Sequence, residues 1–430
     1  MGLKMLKISH FIRLALLKLV FISQFCHATP TIIADTIGLP LVQKTDVAYV
    51  GAFRLPNLPY TGNVCDGFTY GGRGLAWNPA GNNGQGSLFL TGHNYCGYVG
   101  EITIPSIVNT NNTANLLRAQ MLQVLPGSII DPLEGKLATS GVTGSTHTTI
   151  NGLLVNNSRL VLSIGNDMST TVQPVSHYTR SLSLTTTGVN GPVKVFGNKS
   201  YTNPRFLSGY MCHLPTALHT TFGFKAFTGW VPQNIVANSS NGPSLFGFNP
   251  GSLEGVAELA AESILFYPAS DPLQASNTGE QQSAWNWTSM VRGCAVPQGT
   301  GSVLFVGRHG VGKFDYCVGV SDPTKECYDP SDASYGEHAW PYVYKVWAYR
   351  LSDLLAVKTG ALQPQDIQPY NIWTFTLPNE DVNGDHNLSG VAYDPATKRL
   401  FVVQDSALPF GEPIIHVFTV NNATATAVNY

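Results

Sequence analysis

Gly74-Leu75-Ala76-Trp77-Asn78-Pro79 near the start of the chain returns as Gly390-Val391-Ala392-Tyr393-Asp394-Pro395 near its end. A second apolar stretch follows each copy, at residues 87–91 and 399–404, and each stretch contains a Leu-Phe pair. The Asn or Asp side chain can hydrogen-bond the backbone of its own turn, and Pro presets the turn dihedral angle. Each copy therefore predicts two antiparallel strands joined by a tight turn.

Further copies of this pattern lie between these two. Residues 293–297 with residues 302–307 form a looser copy, and weaker fragments lie at residues 152–164 and 244–250. A third apolar strand follows a variable loop at residues 99–104, 342–349 and 414–420. Such repetition of one strand–turn–strand–loop–strand unit is typical of repeat architectures.

These repeats predict an all-β fold of the β-propeller type. A single antiparallel meander cannot bury both of its faces, whereas several meanders packed around an axis cover their faces and protect their edges. The 402 residues that follow residue 28 suggest about seven blades with long inserted loops. A pair of β-sandwiches is the alternative architecture. A short helix is predicted at residues 353–358, with Ser352 as its cap and Gly360 at its end.

The first 28 residues have the pattern of a signal peptide. Lys4, Lys7 and Arg13 form a basic front, residues 14–25 are mostly apolar, and Ala28 precedes a Thr-Pro start. This pattern predicts cleavage after Ala28, a single β-propeller domain over residues 29–430, and a secreted or periplasmic location. A membrane anchor is the alternative, but the apolar run is short and interrupted for a bilayer span.

The composition excludes several classes of partner. Charged residues make up 12% of the chain and the formal net charge is −2, so no basic surface indicates nucleic acid or anionic lipid. We expect a monomer without a membrane span. Six cysteines follow residue 28, and an even number in an exported chain favours disulfides. Cys65 with Cys96 is the local pairing that we expect.

The densest polar cluster of the sequence is a candidate metal site. His309, Cys317, Cys327 and His338 lie within 30 residues in one Gly/Asp/Pro-rich segment. Two thiolates and two imidazoles can complete a tetrahedral zinc site without an open position, so the zinc would be structural. The alternative is a Cys317–Cys327 disulfide with two unrelated histidines, which an exported compartment supports.

Several of these motifs resemble a group of secreted bacterial β-propeller proteins. The matching stretches are residues 302–310, 316–317, 327–330, 338–339 and 341–349, with further matches at residues 209–211 and 240–244. More distantly, the architecture is similar to propeller polysaccharide lyases of the ulvan lyase type. The resemblance implies a polysaccharide substrate, a structural His/Cys zinc site, and β-elimination by a His/Tyr pair with an Arg. The catalytic residues of those lyases do not align one by one with this chain.

A uronate lyase needs a base, an acid and a cation that stabilises the enolate charge. The residue types that supply these functions near neutral pH occur here as His177, Arg180, Tyr210 and His213, with His147 as a further candidate. For each residue taken singly, a buried or loop position with satisfied hydrogen bonds is the simpler interpretation. As a group they are the candidate catalytic residues.

Two functions therefore remain open from the sequence. One is an enzyme that acts on an extracellular anionic polysaccharide, with a uronate lyase as its specific form. The other is a non-catalytic propeller that binds carbohydrate or protein at a cell surface. The 45 Trp, Tyr and Phe residues serve either function, because aromatic rings stack on sugars and also fill blades. Convergence of the four candidate residues on one pocket would favour the enzyme.

Overall fold

The fold consists of short strands, and helix is confined to brief segments between them. The computed structural model describes residues 37–57, 67–93, 96–124, 133–134, 136, 148–166, 172–199, 202–231, 240–274, 283–378, 384 and 386–421. Within these residues the longest helix has eight residues, and most strands form four-stranded antiparallel meanders. Two of the meanders are joined in one eight-stranded sheet, because the strand Asn190–Gly197 pairs in parallel with the strand Glu258–Leu265. The predicted all-β class is confirmed.

Five four-stranded units, which we call blades, follow one another along the described part of the chain. The N-terminal strand is β1 (Val47–Arg54). Blade 1 contains β2 (Leu75–Asn78), β3 (Ser87–Thr91), β4 (Val99–Ile102) and β5 (Met121–Val124). Blade 2 contains β6 (Thr148–Asn156), β7 (Arg159–Asn166), β8 (His177–Ser181) and β9 (Asn190–Gly197). Blade 3 contains β10 (Met211–His213), β11 (Ala226–Thr228), β12 (Leu245–Phe248) and β13 (Glu258–Leu265).

Blade 4 contains an insert, and blade 5 closes the propeller. Blade 4 begins with β14 (Met290–Ala295) and β15 (Ser302–Gly310), and a separate hairpin of β16 (Asp315–Val318) and β17 (Tyr335–His338) follows. The blade is completed by β18 (Tyr342–Arg350) and β19 (Asn371–Phe375). Blade 5 contains β20 (Leu388–Asp394), β21 (Arg399–Leu408), β22 (Glu412–Val420) and, as its outer strand, β1. Pairing of the first strand with the last closes the ring.

The first strands of the blades form the centre. β2 contacts β6, β6 contacts β10, β10 contacts β14, β14 contacts β20, and β20 contacts β2. This closed ring confirms the β-propeller. The expected number of about seven blades is wrong, since the described residues build five. Long connections take up the length that seven blades would need, and residues 311–341, between the second and third strands of blade 4, are the clearest example.

The local predictions agree with the structure at the turns and strands. The Asn78 side chain accepts a hydrogen bond from the Ala80 amide at 3.3 Å, and the Asp394 side chain accepts one from the Ala396 amide at 2.9 Å. These are the two predicted turns. Helical segments are α1 (Gly81–Gly84), α2 (His219–Phe222) and α3 (Leu351–Lys358), with short 3-10 turns elsewhere. The helix α3 matches the prediction, except that Arg350 and not Ser352 is its cap residue.

The topology gives the propeller two distinct ends. In a four-stranded antiparallel meander, the link from the second to the third strand and the link to the next blade share one end. We call this end the upper face. Its described residues include 55–57, 67–74, 283–289, 311–341 and 409–411, whereas the links from first to second and from third to fourth strand form the lower face.

Apolar side chains fill the spaces between blades. Trp77 of blade 1 stacks on Phe401 of blade 5, with ring centroids 6.1 Å apart. Tyr210 beside blade 3 meets Phe305 of blade 4 edge-on at 6.1 Å, in a cluster that also contains Trp347. In the part of the chain that the structure describes, no helix has the length and apolar character needed to cross a membrane.

Candidate functional site

Each blade repeats one two-residue step near the start of its first strand. The steps are Arg73-Gly74, Asn151-Gly152, Ser208-Gly209, Arg292-Gly293 and Ser389-Gly390. In blades 2, 4 and 5 the pairing register shifts at this step, so that the polar residue lies in a β-bulge. A bulge redirects the side chain of the extra residue. The repeat therefore places one polar residue per blade at the centre of the ring, and all five are buried.

The glycine of the step lets neighbouring first strands come into backbone contact. A Cβ atom on Gly152 would lie 2.1 Å from the carbonyl oxygen of Gly209 in blade 3. A Cβ atom on Gly390 would lie 2.3 Å from the carbonyl oxygen of Gly72 beside blade 1. Both distances are far below a carbon–oxygen contact, so a larger residue requires the blades to move apart.

Hydrogen bonds connect the polar residues of blades 1, 2 and 3. Arg73 Nη1 donates to Thr149 Oγ1 at 3.3 Å and to Asn151 Oδ1 at 3.4 Å. Asn151 Nδ2 donates to the carbonyl oxygen of Ser208 at 3.1 Å. On the other side of the ring, Arg292 Nη2 contacts Met290 Sδ at 3.3 Å. The Ser389 hydroxyl is buried and has no hydrogen-bond partner among the described residues.

The upper face carries exposed aromatic side chains. Within the described residues, the five exposed Trp, Tyr and Phe side chains all lie on this face, with exposed fractions from 43% to 90%. They are Tyr70, Trp287, Tyr316, Tyr335 and Phe410. Three of the contacts that support them are edge-on ring pairs, Tyr70 with His93, Trp287 with Phe314 and Tyr316 with Tyr335, at 5.8, 5.5 and 5.1 Å. The exposed aliphatic side chains Leu117, Leu122 and Val256 lie outside this face, so it is the aromatic residues in particular that are concentrated at one end.

The insert of blade 4, residues 311–341, is the longest continuous stretch of the upper face that the structure describes. Its hairpin β16–β17 pairs Tyr316 with Glu337 and Val318 with Tyr335. Side chains on opposite strands at these positions share one face of the hairpin, which is the exposed one. A Cys317–Cys327 disulfide joins the hairpin to the loop that follows β16.

A buried carboxylate lies at the centre of the insert. Asp329 Oδ2 accepts hydrogen bonds from His338 Nδ1 at 2.9 Å and from the Tyr342 hydroxyl at 2.6 Å. Burial raises the pKa of Asp329, but the hydrogen bonds from His338, Ser331 and Tyr342 outweigh it and lower the pKa to about 2. The guanidinium of Arg308 lies over the Tyr342 ring at 4.3 Å and connects this centre to β15.

The predicted metal ligands do not surround a common point. Cys317 and Cys327 form a disulfide, which is the alternative to zinc that the sequence left open. His309 contacts Ser283 Oγ at 2.9 Å and Ser289 Oγ at 2.6 Å, while His338 is hydrogen-bonded to Asp329. Across the described residues, no three His, Cys, Asp or Glu side chains are grouped to hold a metal. With Cys317 and Cys327 joined, this arrangement does not fit a four-ligand zinc site, and structural zinc at these residues stays a prediction.

Among the candidate catalytic residues, His177 and Arg180 lie on opposite faces of β8. His177 is buried against blade 3, with Nδ1 2.8 Å from Ser176 Oγ and Nε2 3.4 Å from Thr228 Oγ1. Burial lowers its pKa to about 3. Arg180 Nη2 donates to the carbonyl oxygens of Leu184 and Thr186 at 2.9 and 3.2 Å. The two side chains therefore lie apart, His177 against blade 3 and Arg180 against the β8–β9 link of its own blade.

Tyr210 and His213 lie at opposite ends of β10. The Tyr210 hydroxyl donates to the Ser244 carbonyl oxygen at 2.7 Å, and burial raises its pKa well above the ordinary value. His213 is exposed on the lower face, where Nε2 lies 2.9 Å from the Val155 carbonyl oxygen. The structure thus does not bring His177, Arg180, Tyr210 and His213 together. His147 and Cys65 lie outside the described residues, while Cys96 is disulfide-bonded.

A separate cavity of about 470 Å³ lies on the lower face, lined by residues that include Asn156, His219, Lys225 and Asn249. None of the candidate catalytic or metal residues lines it.

The sequence analysis did not identify the polar residues of the first strands. Their signal was present, since Gly74, Gly293 and Gly390 begin the three repeated phrases and a polar residue precedes each of them.

No protein-family model and no curated protein matches the sequence. One similar solved structure is described by the statement that the GH130 family of mannoside phosphorylases contains glycoside hydrolases that target β-1,2 mannosidic linkages in Candida mannan. It is 8% identical to this chain, with a TM-score of 0.39. That alignment covers 89% of this chain and 97% of the other. A glycosyl hydrolase from Bacteroides ovatus is 9% identical with a TM-score of 0.37, over 86% of this chain and 94% of the other. The PQQ domain of pyranose dehydrogenase from Coprinopsis cinerea is 9% identical with a TM-score of 0.31, over 84% and 98%.

Proposed function

We propose that this chain is an exported carbohydrate-binding β-propeller that holds an anionic polysaccharide on its upper face. The observation that carries the proposal is the placement of the exposed aromatic side chains, all five of which, among the described residues, lie at this end. Aromatic rings offer large apolar contact area at little cost in side-chain entropy, and Tyr and Trp add a polar group. The C–H faces of sugar rings match such surfaces.

The charge of the proposed ligand follows from the arginines. Arg73 and Arg292 stand at the centre of the ring, and Arg308 connects β15 to the insert. A guanidinium recognises carboxylate or sulfate with paired hydrogen bonds, which makes Arg suited to uronate or sulfated sugars. An anionic polysaccharide is the ligand that we propose, because it can contact the exposed aromatic rings and place a carboxylate or sulfate at the upper ends of the first strands, where Arg73 and Arg292 keep 7% and 6% of their surface exposed.

The geometry supports a binding protein better than an enzyme. General acid–base chemistry needs its groups within hydrogen-bond reach of one substrate. The candidate residues lie apart from one another, and His177 is buried with its pKa lowered to about 3. A polysaccharide chain reaches neither His177 nor Tyr210 without separation of the blades, because both side chains are buried.

Calorimetric titration with alginate, pectate, ulvan and glycosaminoglycans tests the proposal. We expect at least one of them to bind, with an affinity that falls as salt is added, because ionic contacts are screened. Trp287→Ala and Tyr335→Ala should each raise Kd by at least about tenfold, as the loss of an aromatic anchor does. Val256→Ala, an exposed apolar residue between β12 and β13 on the lower face, is the matched control and should leave Kd unchanged.

Two outcomes would contradict this function. Absence of binding to every polysaccharide would remove it, and binding that survives both aromatic substitutions would place the ligand elsewhere. The same mixtures can be followed in the ultraviolet, where the conjugated double bond left by β-elimination absorbs. A rising absorbance that depends on His177 or Tyr210 would restore the lyase prediction.

A further inference from the structure

The cavity of about 470 Å³ on the lower face is not used by the proposed function. Links of blades 2 and 3 surround it. They are the β6–β7 turn with Asn156 and Asn157, the β10–β11 link that contains α2, and the β12–β13 link with Asn249 and Ser252. The volume falls in the range of small-molecule sites, about 300–1,000 Å³.

The buried ring of Phe224 forms the floor of this cavity. It packs edge-on against Phe227, with ring centroids 5.1 Å apart, and is tilted against Phe222 at 5.6 Å. A Cβ atom on Gly247 would lie 2.2 Å from Cε1 of the Phe224 ring, so the glycine makes the room that this ring occupies. Because packing holds the ring, the floor of the cavity is formed before a ligand enters.

The walls of the cavity offer polar side chains to a ligand. Within the described part of the chain, five of these side chains have no hydrogen-bond or ionic partner, namely Asn156, Asn157, Thr220, Lys225 and Ser252. Amides and hydroxyls both donate and accept hydrogen bonds. They therefore match a ligand whose own groups also do both, and the hydroxyls of a sugar have this property.

His219 adds a ring nitrogen to the same wall. Its Nε2 lies 2.8 Å from the carbonyl oxygen of Leu214. That oxygen only accepts hydrogen bonds, so Nε2 carries a proton and donates it. Nδ1 is the nitrogen that is left for a ligand hydroxyl.

The charge of the lining indicates the charge of the ligand. Lys225 is a cation at the wall, and none of the described lining residues is acidic. Glu254, which follows Ser252 by two residues, is held by Arg159 with Nε 2.8 Å from Oε1. A concave site with one sign of charge attracts a ligand of the other sign. We propose that this cavity is a second binding site that takes a uronate, a sugar ring with a carboxylate.

This site does not depend on the upper face. The exposed aromatic side chains lie at the other end of the propeller, and none of them lines the cavity. The uronate can be a free sugar or the end of a polysaccharide chain, since both present the same hydroxyls and carboxylate.

Calorimetric titration with galacturonate and galactose tests the charge of the ligand. In galactose a neutral hydroxymethyl group replaces the carboxylate, so we expect galacturonate to bind at least about tenfold more tightly. In Lys225→Gln the two sugars should bind alike, because the amide keeps the polarity of the side chain and removes its charge. Lys44→Gln is the matched control, since Lys44 is an exposed lysine beside blade 5, and it should retain the preference.

Two further variants test the position of the site. A Cβ atom on Gly251 meets only Asn156 Nδ2, at 3.9 Å, so the larger side chain of Gly251→Phe extends toward Asn156 and should abolish binding. Asn157 has a left-handed backbone with φ 53°, which glycine adopts freely. Asn157→Gly therefore removes the amide without backbone strain, and it should weaken both sugars by about the same factor. The Tm of each variant checks that the chain is folded.

Absence of galacturonate binding would overturn the proposal, and so would binding that is unchanged in both Lys225→Gln and Gly251→Phe. Trp287→Ala should leave galacturonate binding unchanged, and loss of binding in that variant would place the sugar on the upper face instead. Trigalacturonate separates the two sources of the ligand. Tighter binding than that of the monomer indicates the end of a polysaccharide, and equal binding indicates a free uronate.

Discussion

At the scale of single residues, His338 forms a buried ion pair with Asp329 in the insert of blade 4. His338 Nδ1 lies 2.9 Å from a carboxylate oxygen of Asp329, and Nε2 lies 3.0 Å from the carbonyl oxygen of Ser334. Both partners only accept hydrogen bonds, so both ring nitrogens must carry a proton. His338 is therefore an imidazolium, and its hydrogen bond to Asp329 raises its pKa above the ordinary value.

This pair makes the stability of the insert depend on pH. Because the pKa of folded His338 is raised, its stabilising effect is complete below about 6.5, the ordinary value, and is lost as pH rises through the folded pKa. Because the pKa of Asp329 is lowered to about 2, its effect is complete above about 4 and is lost as pH falls toward 2. We expect the largest stabilisation between these limits. Nuclear magnetic resonance titration of the His338 ring should give a pKa above 6.5.

Asp329→Asn provides the matching stability measurement. At pH 6 the variant should lose roughly 3 kcal/mol, the usual cost of removing one partner from a buried ion pair. As the pH rises through the folded pKa of His338, the difference from the wild type should shrink, because His338 loses its charge. A difference that stays the same through the titration of His338 would contradict a charged His338.

At the scale of elements, the hairpin β16–β17 is separate from the five blades. It pairs with no blade strand, and the Cys317–Cys327 disulfide ties it to the loop that follows. Cys317→Ser with Cys327→Ser should therefore raise amide hydrogen exchange in residues 315–318 and 335–338, while exchange in the blades stays within error. Faster exchange throughout blade 4 would show that the hairpin supports the blade.

A disulfide and a zinc site exclude each other in this hairpin and the loop that follows it, because both would use Cys317 and Cys327. Zinc binding requires both cysteines as thiolates and requires His309 to leave its serine partners. The structure leads us to expect less than one tenth of a zinc per chain by elemental analysis of oxidised protein. One zinc per chain, lost in His338→Ala and accompanied by two reactive thiols, would establish the zinc site instead.

At the scale of the whole molecule, close contact of the first strands holds the ring together. Gly152→Ala places a Cβ atom 2.1 Å from the carbonyl oxygen of Gly209, so blades 2 and 3 must separate. We expect a loss of about 2–3 kcal/mol in urea unfolding, the cost of overpacking a tight interface.

Gly251→Ala is the control for this substitution, because its Cβ atom would meet only Asn156 Nδ2, at 3.9 Å. That variant should change the free energy of unfolding by less than about 0.5 kcal/mol. Equal effects of the two substitutions would mean that the inter-blade contact is not what makes glycine necessary at position 152.

The sequence by itself determined the fold class and much of its local structure. The Asn78 and Asp394 turns, the strands that flank them and the helix α3 follow from contacts within a few residues, which the chain specifies directly. Hydrophobic repetition then required the meanders to pack against one another. The number of blades did not follow, because loop lengths are not constrained by that pattern.

Only the tertiary structure decided which residues share a site. His177 and Arg180 are three residues apart on one strand, so their side chains point to opposite faces, one toward blade 3 and the other toward the β8–β9 link. Arg73 and Asn151, in contrast, are distant in sequence but hydrogen-bonded at the centre of the ring. Proximity at the axis depends on how the first strands of different blades meet, and that packing is a property of the closed ring and of no single segment.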